Sequence, residues 1–432
     1  MKRIYLLSFL VLLACGDEGN VDLANGNTFV RYFNGGQDDV AILAQETADN
    51  NIIIMATTEI ESATAGEFFY RIKLIKTDAF GNILSSDWPK SYPSPDQTPT
   101  VGGSGKSYRG RSLTELPNGG FAIIGDDLLA GPLPQLRVIV TDPLTGEELT
   151  VSHTYTSSEI LPADILSSIT PGTRVSLVGY GISVAPNGNY ILLAGLAVEG
   201  LPTKNMLVAE VRSSDLTKVW SRAHGTGTST LARTVLVNTD NSLTWGGTVS
   251  NTGTSDARLI RTFPDAQTSE FDLTYGNAAS NEMARDVAAY GTGYALAGTT
   301  DNTINQDNDI LYTRVGEDGG ILTQSTFGYA NLNEEGISVC TTRDGNVLLI
   351  STTESGVDQD NKPVGNGLTD VYLMKLTPFG SPIWSYYFGS GNNENAASVR
   401  QMSDGSILVL GTADFAGLKT IMLVKTDENG KL

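Results

Sequence analysis

Apolar residues in this chain come in short runs, each launched by a tight polar turn. Seven copies stand out: Asp49-NNIIIMA, Asn118-GGFAIIG, Asn187-GNYILLAG, Asp240-NSLTWGG, Gly291-TGYALAG, Asp344-GNVLLIS and Asp404-GSILVLG. Their starts lie 51 to 69 residues apart. Runs this short, bounded by turn residues and with no helical periodicity, read as strands. A strand-and-turn unit that recurs at this spacing predicts a radial array of small sheets.

Each unit holds more than its first turn. After the apolar run comes an alternating strand such as Val371-YLMKLT or Ile421-MLVKT. A short turn follows, often ending in glycine, as in Asp78-AFG, Pro378-FG and Asp427-ENG. Then comes a strand with a bulky residue at i and, in most copies, an aromatic at i+4: Phe29/Phe33, Trp88/Tyr92, Val151/Tyr155, Trp220/His224, Phe271/Tyr275, Thr323/Phe327 and Trp384/Phe388. Residues i and i+4 of a strand share a face, so these pairs are expected to pack between neighbouring sheets. Acidic stretches such as Asp39-VAIL, Glu282-MARDV, Glu335-GISV and Glu394-NAASV lead into the next unit. Four strands per unit, a to d, predict an all-β, seven-bladed propeller over residues 28–432.

The ends of the chain predict how the ring closes. Thr28-FVRYF aligns with strand d of the sixth unit, whereas the chain stops after strand c of the seventh. Pairing the spare N-terminal strand with the C-terminal blade closes the ring and removes two sheet edges. The Asp-Gly-x-Ile/Val-Leu turn together with the Trp-x-x-x-Phe-Gly strand resembles the repeats of kelch-like and quinoprotein-like propellers. It is most similar to Bacteroidetes-type propeller lipoproteins. The quinoprotein docking pattern is met by Asp142-PLTG but breaks at Thr150, where that family carries Trp.

Antiparallel order places the a–b and c–d turns on one face and the b–c and d–a connections on the other. The first class reads as uniformly short. Length is expected to vary in the second, at residues 59–67, 127–135, 301–308 and 354–368 and at 93–110 and 156–179. Insertions gathered on one rim predict a binding face there.

The N-terminus changes the picture. Lys2 and Arg3 precede an apolar stretch, Ile4 to Leu13, too short to span a bilayer, and Leu12-Leu13-Ala14-Cys15 follows. This resembles a bacterial lipobox and implies a signal peptide over 1–14, a diacylated Cys15 and a tether over 15–27. The acidic Gly16-Asp17-Glu18 resembles a surface-export signal. The formal charge is −20, or −22 from Cys15 onward. That repels phosphate backbones, so nucleic acid is not expected as a partner. Cys340 sits in an alternating strand and reads as a packed small residue.

Catalytic chemistry is sparse. His153 and His224 both fall in strands d, where packing explains them, and no nucleophile–base combination stands out. The run Asp301, Asn305, Asp307 and Asp309 offers oxygens at alternate positions, the one candidate Ca²⁺ site, with Asp358, Asp360 and Asn361 a weaker second. Tyr108, Arg109 and Arg111 form a candidate binding patch on the rim. No other cofactor is expected.

These features lead to an expected role: a non-catalytic binding or scaffold subunit of an outer-membrane complex, lipid-anchored and facing outward, with envelope proteins as partners. The alternatives are a glycan- or nutrient-binding surface lipoprotein and a propeller enzyme with a metal or quinone. The anchor is directly testable. Cys15→Ala should shift the protein from the membrane to the soluble fraction, because the acyl chains are its expected bilayer contact. Unchanged fractionation, with no acyl mass on the mature N-terminus, removes the lipid anchor from the account.

Overall fold

A computed structural model of the chain describes residues 21–22, 27–61, 68–94, 105–200, 206–225, 228–250, 254–277, 280–301, 307–358, 360–415 and 417–432. Seven antiparallel sheets form the blades of a propeller. Strands are named here by blade and position. Blade 1 is Asp38–Glu46 (1a), Ile52–Glu61 (1b), Phe68–Thr77 (1c) and Lys90–Tyr92 (1d). Blade 2 is Tyr108–Glu115 (2a), Phe121–Asp127 (2b), Gln135–Val140 (2c) and His153–Thr154 (2d). Blade 3 is Val175–Val184 (3a), Tyr190–Val198 (3b), Met206–Val211 (3c) and Lys218–His224 (3d). Blade 4 is Thr228–Val237 (4a), Leu243–Ser250 (4b), Ser255–Thr262 (4c) and Ser269–Tyr275 (4d). Blade 5 is Glu282–Tyr290 (5a), Gly293–Asp301 (5b), Asn308–Val315 (5c) and Ile321–Phe327 (5d). Blade 6 is Glu334–Thr341 (6a), Val347–Val357 (6b), Pro363–Leu376 (6c) and Pro382–Phe388 (6d). Blade 7 is Glu394–Gln401 (7a), Ile407–Phe415 (7b), Leu418–Thr426 (7c) and Phe29–Phe33 (7d).

The apolar runs are the strands b. They lie inside the sheets with a neighbouring blade on each face, so 2b is buried at every position. That is why they lack the period-two alternation of a half-exposed strand. Strands d form the outer edges. Strand 5d alternates between exposed and half-buried residues.

The ring closes as the termini predict. Strand 7d pairs antiparallel with 7c, from Phe29 opposite Lys425 to Phe33 opposite Ile421. Phe29 and Phe33 are buried with Leu408, Leu410, Ile421 and Leu423 of blade 7 and with Ile52 and Ile54 of blade 1. Gly81, in the turn after 1c, lies against the Phe29 ring with φ +80. A side chain there would meet both a strained backbone and that ring. Val21–Asp22 pairs outside 7d as a fifth strand.

Two recurrent contacts tie the turns to the sheets. The aspartate of the a–b turn meets a cation on strand c: Asp49 with Lys76 at 2.8 Å, Asp240 with Arg261 at 2.5 Å, Asp344 with Lys375 at 2.7 Å and Asp404 with Lys425 at 3.2 Å. Burial opposes ionisation of Asp49 and Asp344, but bonds from Lys76 and Lys375 hold both well below the usual carboxylate range. Blade 3 reverses the polarity: Asn187 and Asn189 donate to Glu210 at 2.8 and 2.6 Å. The second contact joins blades. The Tyr155 hydroxyl donates to the Leu216 carbonyl at 2.7 Å, and Tyr275 donates to the Gly319 carbonyl at 3.0 Å. Tyr92 makes the equivalent bond to Gly146. Each such bond contributes about 1 kcal/mol. The turn that accepts it belongs to the next blade.

Four connections differ from the sequence reading. The c–d connections of blades 1 and 2 are not short: they run over residues 78–89 and 141–152, because strands 1d and 2d are brief. Residues 354–368 are largely not an open loop, since 6b and 6c continue pairing out to Val357 opposite Pro363 across a register shift. The 156–179 connection carries two one-turn helices, Ser157–Ile160 and Ala163–Leu166, and buries Ile160, Leu161 and Ile165 against blades 2 and 3. Expected from the closure geometry, deletion of residues 28–33 aggregates the protein or lowers its Tm sharply. Deletion of residues 16–25 leaves the Tm within a few degrees. Equal, mild losses in differential scanning calorimetry count against closure by 7d.

Candidate functional site

Every strand a carries a β-bulge at the same level. Register shifts fall between Ala41 and Leu43, Gly110 and Ser112, Gly179 and Gly181, Ala232 and Thr234, Ala284 and Asp286, Gly336 and Ser338, and Ala396 and Ser398. A bulge inserts one unpaired residue and re-aims its side chain. A single cavity of about 290 Å³ touches all seven strands a, which places it on the propeller axis. Among its lining residues are the bulge residues Ile42, Arg111, Tyr180, Arg285, Ile337 and Ala397, together with Thr234, Asp286, Ser338, Ser398 and Arg400.

Three guanidinium groups thus reach one channel. Arg111 is gripped by Asp126, with Nε and Nη2 at 2.9 and 2.7 Å from the same oxygen, and its guanidinium lies 5.9 Å from the Tyr180 ring centre. Burial pushes the Asp126 pKa up, and the Arg111 charge opposes that shift. Arg400 donates to the Val399 carbonyl at 2.7 Å and sits 4.0 Å from Asp286. Arg285 is held more loosely. Its nearest carboxylate oxygen, on Glu335, is 3.5 Å away, and its buried Nε has no hydrogen-bond partner. A buried donor left open calls for an acceptor.

Asp286 is not available in the same way. Its carboxylate accepts from Thr234 and the Val287 amide at 2.9 Å each, from Ser338 at 2.8 Å and from the Val339 amide at 3.1 Å. Four donors fix it as a strut between blades 4, 5 and 6. Cys340 is buried and unbridged, and burial pushes its thiol up to about 11.

The expected rim patch does not assemble. Tyr108 is only 1% exposed, packed in the core between blades 1 and 2, with the Arg137 guanidinium 4.9 Å from its ring centre. Arg109 points to the other face of 2a and lies over Tyr70 at 4.3 Å. Only Arg111 enters the channel. Nor does the acidic run gather as one set. Asp301 accepts both the amide and the side-chain nitrogen of Asn281 at 2.5 Å, Asp307 accepts the Asn331 amide at 2.6 Å, and Asn305 lies outside the described residues. Asp358 caps its own hairpin, accepting from the amides of Asp360 and Lys362. Among the described residues no three His, Cys, Asp or Glu side chains come together as metal ligands. His153 lies 3.2 Å from Glu159 and edge-on to Tyr155; His224 packs edge-on to Trp245. Cys15 lies outside the described residues.

Sequence reasoning missed Arg285, Arg400, Asp286 and Tyr180. One signal was present. The bulge residue follows the acidic residue that opens strand a by three positions: Asp39 and Ile42, Glu282 and Arg285, Glu394 and Ala397. In blade 6 the corresponding acid is the buried Glu334, not Glu335, whose side chain is 46% exposed.

No known protein family matches the chain by sequence, and no curated protein does either. Solved structures match it as folds. The Dos1 propeller is 11% identical with a TM-score of 0.47, over 93% of this chain and 95% of that one. The polysaccharide lyase Uly1 is 10% identical with a TM-score of 0.49, over 91% and 90%. A Hadza microbial sialidase, Hz136, is 11% identical with a TM-score of 0.44, over 87% and 74%. Likeness at this distance is one of fold, and no activity is carried from these proteins to this chain.

Proposed function

We propose that the protein is a binding propeller whose axial channel receives an anionic group, a carboxylate or a sulfate, of a soluble ligand. The observation that supports this is the convergence of Arg111, Arg285 and Arg400 on one cavity in a chain of charge −20, with Arg285 Nε unpartnered. A guanidinium presents a planar fork of donors matched to such oxyanions. The reading is one of binding without turnover. Asp286 is saturated by hydrogen bonds, the Cys340 thiol is held protonated, and both histidines sit on strands d, away from the axis. The setting is a lipid anchor at Cys15 on the outer membrane, which gives such a channel access to ligands outside the cell.

A hydrogen bond to a charged group is worth roughly 1.5–3 kcal/mol, or about 10- to 100-fold in affinity. Isothermal titration with uronates and sulfated sugars should therefore show saturable, salt-sensitive binding. Arg285→Ala and Arg400→Ala should each weaken it by that factor, and neutral sugars should not compete. Equal binding of neutral sugars, or unchanged binding by both variants, refutes the channel as the site.

A scaffold role in an envelope complex has a separate observation in its favour. Large apolar side chains stand out on the c–d turns: Phe80, Leu144 at 91% exposure, and Phe379 at 75%. Exposed apolar groups mark a contact surface where they are contiguous, and these three share one face of the ring. They lie on the face opposite the long b–c and d–a connections, so this reading moves the docking face from the rim expected above. Leu144→Asp combined with Phe379→Asp should lose proteins that co-purify with the wild type from native membranes in mild detergent. An unchanged partner set counts against docking there.

A further inference from the structure

Three blade boundaries repeat one acidic device. Gly276, Gly328 and Gly389 each follow the last aromatic of a strand d. At each, a Cβ would run into two carboxylates: an aspartate on strand c (Asp256, Asp309, Asp370) and the glutamate that opens the next strand a (Glu282, Glu334, Glu394). All three glutamates are buried. Glycine is needed because the acids close over the backbone from both sides.

Two of the three glutamates are satisfied locally. Glu394 accepts from the Ser390 hydroxyl at 2.6 Å and its amide at 2.8 Å. Glu282 accepts from the Ser280 hydroxyl, the Asn277 side chain at 3.0 Å and the Asn277 amide at 3.3 Å. Between blades 5 and 6 the pattern breaks. The residue after glycine is Tyr329, whose hydroxyl is engaged with Tyr387 at 3.1 Å. Its amide is 3.4 Å from Glu334 Oε2, and Glu334 Oε1 has no partner although the residue is 99% buried. Asp307 Oδ1 is likewise buried without a partner. The charges acting on Glu334 are those of Asp309, Asp307 and Glu354, and burial together with them pushes its pKa up to about 9.

A cavity of about 300 Å³ opens at this point, with Glu334 in its wall. Apart from Thr326 and Gly328, the rest of the wall is apolar and aromatic, including Phe327, Tyr329, Tyr372 and Met374. A metal ion is a poor match. Calcium takes six to eight oxygens, and among the described residues no three candidate ligands converge. An organic cation fits both halves of the site: its charge favours release of the Glu334 proton to solvent and pairs with the carboxylate so formed, and its carbon chain meets the wall, with aromatic faces adding cation–π attraction.

We propose that the crevice between blades 5 and 6 binds a primary alkylammonium, its head on the Glu334 carboxylate and its stem along Phe327, Tyr372 and Met374. The site is separate from the axial channel and does not rest on the anion-binding reading. Thermal-shift and calorimetric titration of the full chain with n-butylammonium chloride at constant ionic strength is the test. The expected result is saturable binding with a rise in Tm. Glu334→Gln keeps an acceptor for the Tyr329 amide and should weaken binding at least 10-fold. n-Butanol, the neutral analogue, should not compete, which tests the wild type even where the variant folds poorly. If Nα-acetyl-lysine methylamide binds as tightly as butylammonium, the natural occupant is a lysine side chain of another protein; if butylammonium alone binds, it is a free amine. No saturable binding, equal binding of butanol, or unchanged binding by a folded Glu334→Gln overturns the proposal. So does Ca²⁺ binding that Glu334→Gln abolishes while amines fail to bind.

Discussion

The bulge in each strand a is the constraint on which the ring and its channel both depend. It unpairs one residue and frees backbone polar groups that must find partners elsewhere. The preceding blade supplies those partners. Thr412 Oγ1 accepts the Ala41 amide at 2.9 Å, Thr57 accepts Gly110 at 3.1 Å, Asp126 accepts Gly179 at 2.9 Å and Thr352 accepts Ala396 at 3.0 Å. Each acceptor sits at the same level of a strand b. At these four boundaries one distortion therefore ties neighbouring blades together and satisfies the amide it exposes, and in the six blades whose bulge side chain is described it turns that side chain toward the axis.

The same position shows how a structural site becomes a chemical one. Three of these acceptors are threonine. At the boundary of blades 2 and 3 it is aspartate, which keeps the amide and has a second oxygen to spare. That oxygen grips Arg111. One further blade around, Gly195 leaves room for the Tyr180 ring, which lies beside Arg111. Small changes on a repeated frame have thus concentrated guanidinium groups at the centre of an acidic molecule.

Repetition also exposes what is unusual. Glu282 and Glu394 show what the acid at the head of strand a ordinarily does: it caps the backbone after glycine with help from a serine or asparagine. Against those siblings, Glu334 stands out by the donor it lacks and by the cavity in its place. The comparison comes from within one chain, at the same fold position, so the environments differ only in the residues that fill them.

The sequence by itself determined the architecture. Turn residues followed by apolar runs define strands a and b, because tight turns and alternation depend only on neighbours along the chain. The aligned ends determined closure, and Phe29 to Phe33 do pair with 7c. The Asp-turn and Lys-strand motifs were also legible, and they meet as Asp344 with Lys375 and Asp404 with Lys425. The candidate sites were not legible. A bulge shifts the two-residue alternation by one, so Arg285 points into the channel where a regular strand would aim it elsewhere. Tyr108 reads as a rim residue until blade 1 buries it. The isolation of Glu334 depends on Tyr329 turning to Tyr387, 58 residues further along the chain. Contacts of that kind are made by the curvature of the ring, which brings distant repeats together and leaves no local trace in the order of residues.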